Sequence, residues 1–265
     1  MREILENLDT DNEDYDPIKK AQILAKRELP KKFYQLADVT EKENGFAVVL
    51  DGKVVKTPAR NELVLPNHEL ARLVADEFNL QNVVIDPAKM PVTRLANTVL
   101  DSIAANPDAV RDDIKNFIAH DMLFYRADTP RELADKQNTQ WNPILDWAHK
   151  KFNAPFILTE GVIHIEQPKS SLQSIGNFLD KILSPYSLAA LHSMTTLSGS
   201  ALLALAVFCK EIDLDKAWKL AHLDEDWTIE HWGEDHEALS RREYYKTNFD
   251  AAAAIVAAIN DNIPQ

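Results

Sequence analysis

An α+β fold, a small antiparallel β domain followed by a larger and mostly helical one, is predicted by three observations. Two turn pairs, Asn44-Gly45 and Asp51-Gly52, sit between short apolar or β-branched runs. Such pairs favour two-residue hairpin turns because the central residues need positive φ. Near residue 66 the apolar spacing changes from two to three or four, the helical period. Beyond it the run from Ser187 to Cys209 is apolar nearly all round, as a central helical segment is. These mark residues 1–30 as an acidic extension, 31–66 as the β domain and 67–265 as the helical domain.

In the β domain Phe46, Val48 and Leu50 alternate on one face, and Leu63 and Leu65 suggest a fourth strand before Pro66, giving a sheet over about residues 32–65. Asn67 is a fitting N-cap for a helix carrying Leu70, Val74 and Phe78. Pro91 starts a stripe of Val92, Leu95, Ala96, Val99, Leu100 and Ile103. Pro107-Asp108 starts another, Val110, Ile114, Phe117 and Ile118, and Leu172, Ile175, Leu179 and Ile182 form a further helical face. Phe156 to Ile165 reads either way and suits a short strand pair.

Composition narrows the function. The 265 residues are 45% hydrophobic and 27% charged, values of an ordinary globular protein. A formal net charge of −13 argues against nucleic acid or an anionic membrane as partner, since both repel it. The one cysteine, Cys209, forms no internal disulfide and fits a reducing compartment. The first sixteen residues hold seven acids and one Arg, unlike a mitochondrial presequence, and the most apolar run, Leu197 to Cys209, is short for a membrane span. A bacterial cytoplasmic location and no membrane insertion are expected.

Chemistry has few footholds. The chain has six glycines and neither GxGxxG nor GxxxxGK[ST], so no nucleotide cofactor is expected. His231 and His236 are five apart, which on one helix separates them by roughly 140° and prevents chelation of one metal. Ser198 and Ser200 lack a GxSxG frame. Cys209 reads as a core thiol, and His120-Asp121 with Tyr125-Arg126 as a hydrogen-bonded structural cluster. No catalytic, cofactor or metal residue is assigned.

The densest polar stretch is Asp224 to Glu237, DEDWTIEHWGEDHE, with seven carboxylates, two Trp and two His in fourteen residues. Projected as one helix, Leu220, Leu223, Trp227 and Glu230 share a face, while Glu225, Ile229, Trp232 and His236 lie nearly opposite. One face serves the core. The second is either buried too or presented to another protein through aromatic anchors and acids, and the pattern alone leaves both open.

Six ordered blocks carry a resemblance: KFY at 32–34, Gly45 to Pro58, MPVTRLANT at 90–98, DMLFYRA at 121–127, WNPILDW at 141–147, and EDWTIEHWGEDHEA from Glu225. Together, over about residues 30–245, they are similar to the mitochondrial and α-proteobacterial assembly chaperones of the F1 sector of ATP synthase that bind its unassembled alpha subunit. The resemblance implies a β-then-α fold, a non-enzyme without nucleotide, and the free alpha subunit as partner; the chain alone is expected to be a monomer. It also implies an acidic partner-facing segment, here Glu225, Asp226, Ile229, Glu230, Trp232, Glu234 and Asp235, with Glu225 the leading acid. Phe78 departs from the Trp usual in the family, and the first thirty residues match none of its blocks. Two other readings of the acidic stretch are a metal- or carboxylate-dependent hydrolase and a generic protein-binding adaptor.

Overall fold

The computed structural model describes residues 29–259. Strands β1 (Ala37–Lys42), β2 (Gly45–Leu50), β3 (Lys53–Val54) and β4 (Val64–Leu65) form an antiparallel sheet in which β2 pairs with the other three. Asp51 and Gly52, at φ 46° and 80°, make the expected hairpin turn between β2 and β3. The first turn differs by one residue: Lys42 pairs with Gly45, so Glu43-Asn44 forms the loop. Gly45 opens β2 at φ 136°, and a Cβ there would collide with the Leu65 carbonyl oxygen of β4. The glycine is therefore required by the close passage of β4 rather than by the turn centre. β2 is also buried from Ala47 to Leu50 without alternation, since both its faces are covered.

Ten α-helices follow among the described residues: α1 (His68–Asn79), α2 (Pro91–Asp101), α3 (Pro107–Ala119), α4 (Arg131–Phe152), α5 (Lys169–Leu179), α6 (Pro185–Ser198), α7 (Ala201–Phe208), α8 (Leu214–Ala221), α9 (Leu223–Trp232) and α10 (His236–Ile259). The Asn67 side chain caps α1 at the Leu70 N–H, as expected. The 187–209 run is two helices, not one. Gly199 ends α6 in the left-handed conformation at φ 71°, and the Ser200 hydroxyl accepts the Leu203 N–H to start α7. α6 packs against α2, α3, α7 and α10, with Leu188, Leu191 and Met194 fully buried at the centre.

One further difference concerns a loop. Thr159–Glu160 does not pair within its own loop; as β6 it lies parallel to Tyr125–Arg126, β5, far away in sequence. α4 continues through Pro143 for 22 residues and ends at Asn153 in the left-handed region. The hydrophobic core is continuous from Tyr34 and Val48 through Leu70, Phe124 and Trp141 to Ile255.

Candidate functional site

The acidic stretch forms the corner between α9 and α10. It is not one helix: His222 interrupts the ladder before α9, and Gly233 to Asp235 break it after Trp232. His236 accordingly opens α10 and does not continue the face of Ile229 and Trp232. Gly233 closes α9 at φ 91°, a conformation a β-carbon strains, with open space around its Cα.

A hydrogen bond from α4 reaches α9 itself, and further contacts fix the elements around it. The Trp141 indole N–H of α4 donates to the Leu220 carbonyl at 2.9 Å, and Gln137 donates to the Asp224 carboxylate at 2.9 Å. The Arg126 guanidinium lies 5.2 Å from the Trp141 ring centre and donates to Asn138 and Asn142 at 2.9 and 2.8 Å, and to the Leu123 carbonyl. Burial pulls the Arg126 pKa down to about 10, opposed by the nearby Asp224. At the junction His222 donates to the Trp218 carbonyl at 2.9 Å, and burial holds its imidazole below the usual value. The corner is thus presented by a rigid scaffold.

The named residues fall into two groups. Asp226 accepts from Arg242 of α10 at 2.5 Å; Glu225 lies 3.8 Å from the same guanidinium and 4.0 Å from His222; Glu230 pairs with Lys136 of α4 at 3.1 Å. Glu230 is exposed and, at the end of the face it shares with Leu223 and Trp227, meets Lys136 rather than the core. Ile229 is half-buried. These residues brace α9 while keeping part of their surface in water. Trp232, Glu234 and Asp235 form the second group, exposed, with the Asp235 carboxylate accepting the Glu237 N–H.

The two tryptophans divide the helix. Trp227 is 9% exposed and stacks on His231 at 3.8 Å, whereas Trp232 is 72% exposed with only its edge toward Trp227, at 5.4 Å. Tyr244 and Tyr245 of α10 are further exposed aromatics. Large exposed aromatics beside fixed carboxylates suit a protein surface that another chain covers.

The other chemistry candidates are structural. Asp121 is fully buried and accepts from Ser200 Oγ at 3.0 Å, Leu202 N at 2.9 Å and Leu123 N at 3.1 Å, so it helps cap α7. Burial pushes its carboxyl up to about 6. Ser198 is bonded to the Met194 carbonyl. His231 donates to the Trp227 carbonyl at 2.7 Å. Burial pushes the Cys209 thiol up to about 11, the behaviour of a core sulfur. Among the described residues no group of three or more His, Cys, Asp or Glu is arranged to hold a metal, and no helix is long and apolar enough to cross a membrane. Sequence reasoning missed Glu77, a buried carboxylate of α1 that caps α2 by accepting the Val92 and Thr93 N–H groups at 2.8 and 2.7 Å. It also missed the pairing roles of Arg242 and Lys136, since both partners are distant in sequence.

Residues 31–149 match the family model described as ATP12 chaperone protein. A putative chaperone from Agrobacterium tumefaciens, solved by crystallography, is 46% identical with a TM-score of 0.86, covering 93% of this chain and 92% of that one. Atp12 from Paracoccus denitrificans is 34% identical with a TM-score of 0.80, covering 86% and 98%. A variant of that Paracoccus protein with one aspartate changed to lysine is 33% identical at the same TM-score, covering 86% and 97%. Matches of this identity over nearly whole chains, with the fold retained, show that this chain belongs to the ATP12 chaperone family.

Proposed function

We propose that the protein is an assembly chaperone of the F1 sector of ATP synthase, working in the cytoplasm, that binds the free alpha subunit and masks its assembly surface. Family membership supports the chaperone role. The observation that carries the binding site is Trp232, 72% exposed at the end of an acidic helix whose other Trp is buried. A subunit of a ring buries large apolar faces against its neighbours and exposes them when alone, where they drive aggregation. A strongly acidic chaperone covers such a face with an aromatic anchor and keeps the pair soluble through its net charge of −13. Glu225, Asp226, Ile229 and Glu230 shape and charge the corner, while Trp232, Glu234 and Asp235 make the contact. The mechanism is masking by binding and yielding to the true neighbour, without covalent chemistry.

The test is co-purification of the tagged chain from its native cell. Enrichment of alpha over beta subunit, lost with Trp232→Ala, is expected; equal recovery of both subunits, or of neither, contradicts the proposal.

A further inference from the structure

A second exposed apolar surface lies at the β end of the molecule, away from Trp232 in sequence. The stretch from Pro30 to Leu36 runs beside residues 83–85: Lys32 N–H donates to the Val83 carbonyl at 3.0 Å, and Ile85 N–H to the Pro30 carbonyl at 2.8 Å. Between this stretch and β3 opens a groove of about 610 Å³, walled by Phe33, Val54 and Ile85. Phe33 is 74% exposed, and Leu36, Leu80 and Val83, also exposed, lie on the same two stretches of chain.

The charged residues lining the groove are Lys53, Lys56 and Arg60, with no carboxylate among them. Three other surface hollows include carboxylates: Asp146 in one, Glu69 in another, Asp213 and Asp250 in the third. Three acids stand near the rim, each tied up in hydrogen bonds; Asp101 accepts from Thr57 of the groove wall at 2.5 Å, from Asn61 at 2.9 Å and from the Ala59 N–H at 3.1 Å. Asp51 accepts the Gln35 and Leu36 N–H groups, which with Lys32 and Lys53 nearby hold its carboxyl below the usual range. Glu62 is hydrogen-bonded to Lys42 at 2.5 Å, with Lys56 farther off. On a chain of net charge −13, an apolar groove whose own charged lining residues are all cationic selects an acidic segment that carries apolar side chains.

Such a segment belongs to the chain itself. Residues 1–16, MREILENLDTDNEDYD, hold seven carboxylates against one Arg, with Ile4, Leu5 and Leu8 among them. The chain arrives at the groove from these residues through Leu29 and Pro30, beside Phe33. The thirteen steps from Asp16 to Leu29 reach at most about 45 Å. Covalent attachment over that span keeps the segment within reach of the groove, so weak contacts suffice. We propose that the acidic head, Glu3 to Asp16, docks in this groove, with carboxylates at Lys53, Lys56 and Arg60 and apolar side chains against Phe33, Val54 and Ile85. The docked head covers an apolar face that is otherwise open, at the opposite end of the sequence from the α9–α10 corner.

The experiment uses the full ¹⁵N-labelled chain with Cys209→Ala and Asn7→Cys carrying a nitroxide, so that the label has a single site. Docking predicts loss of amide signal intensity at Val54, Val55 and Ile85 in dilute salt. The intensity returns in about 1 M salt, where charges are screened beyond about 3 Å. It also returns in Lys53→Glu/Lys56→Glu/Arg60→Glu, whose three sites are exposed. Undiminished groove signals in dilute salt, or a loss that neither salt nor charge reversal relieves, overturns the proposal. A mixture of nitroxide-bearing unlabelled chain and ¹⁵N chain tests for a second copy as donor. Equal broadening in that mixture overturns docking within one chain.

Discussion

Glu77 accepts both the backbone N–H and the hydroxyl of Thr93, at 2.7 and 2.6 Å, and so caps α2 from a neighbouring helix. The residue at the N-cap position itself, Met90, offers no side-chain acceptor. Burial raises the Glu77 carboxyl pKa while these bonds pull it down. Glu77→Ala removes the acceptor of two buried backbone N–H groups and of the Thr93 hydroxyl and is expected to cost about 2–4 kcal/mol, whereas Glu77→Gln retains an acceptor and costs less. Urea denaturation of the two variants checks the order; an Ala variant as stable as Gln would show that the cap is idle.

Gly45 and Gly233 both have positive φ but differ in surroundings. At Gly45 a Cβ meets the Leu65 carbonyl; at Gly233 it meets nothing within 4 Å. Gly233→Ala is expected to cost about 1 kcal/mol of backbone strain, and Gly45→Ala clearly more, because β4 must also move. Melting temperatures of the pair measure the difference.

Asp121 sets a pH dependence of known sign. Burial raises its folded pKa to about 6, above the roughly 3.9 of an unfolded chain. Between those values the folded state holds more protons than the unfolded one, so this group makes stability fall as pH rises from about 4 to 6, by at most about 1.4 kcal/mol per unit. Asp51 and Asp101, whose pKa values are lowered, act in the opposite sense, with stability lost as pH falls through the acid range. The Asp121→Asn variant removes only the Asp121 contribution. The stability of the variant relative to the native chain should therefore rise from pH 4 to 6 and level off above; a difference independent of pH would contradict the assignment.

Trp227 and Trp232 should separate folding from binding. Trp227→Ala empties a packed site and is expected to cost about 3–5 kcal/mol of stability. Trp232→Ala should melt within about 1 kcal/mol of the native chain and still lose about 2 kcal/mol or more of client affinity, roughly 30-fold. Thermal melts beside a binding titration decide it, and a large loss of stability in the Trp232 variant would return that side chain to the core.

The helical stripes and the Asn67 cap could be read directly because local pattern sets them: apolar spacing and one acceptor three residues before its donor. What could not be read depends on partners far along the chain. Gly45 answers to Leu65, β6 to β5, and Glu77 to Val92 and Thr93. α4 was hidden by Pro143, whose usual effect on a helix is outweighed here by burial of Trp141, Ile144 and Ala148. At the corner the acids were visible as a cluster, but their division was not. Arg242 and Lys136, sixteen or more residues from their partners, engage Asp226 and Glu230, and this leaves Trp232, Glu234 and Asp235 outermost. Glu225→Lys would therefore place a cation beside Arg242 and His222 as well as changing the outer surface.

Client protection by the exposed corner is read from the amount of alpha subunit that stays soluble when co-expressed with the native chain, Trp232→Ala/Glu234→Lys or Lys219→Ala. Lys219 is an exposed residue of α8 outside the corner. The soluble fraction should be high with the native chain and Lys219→Ala, and should fall to the level without chaperone for the double variant, whose own melting is unchanged. Full solubility of alpha subunit with a folded Trp232→Ala/Glu234→Lys chain would contradict the role of this corner.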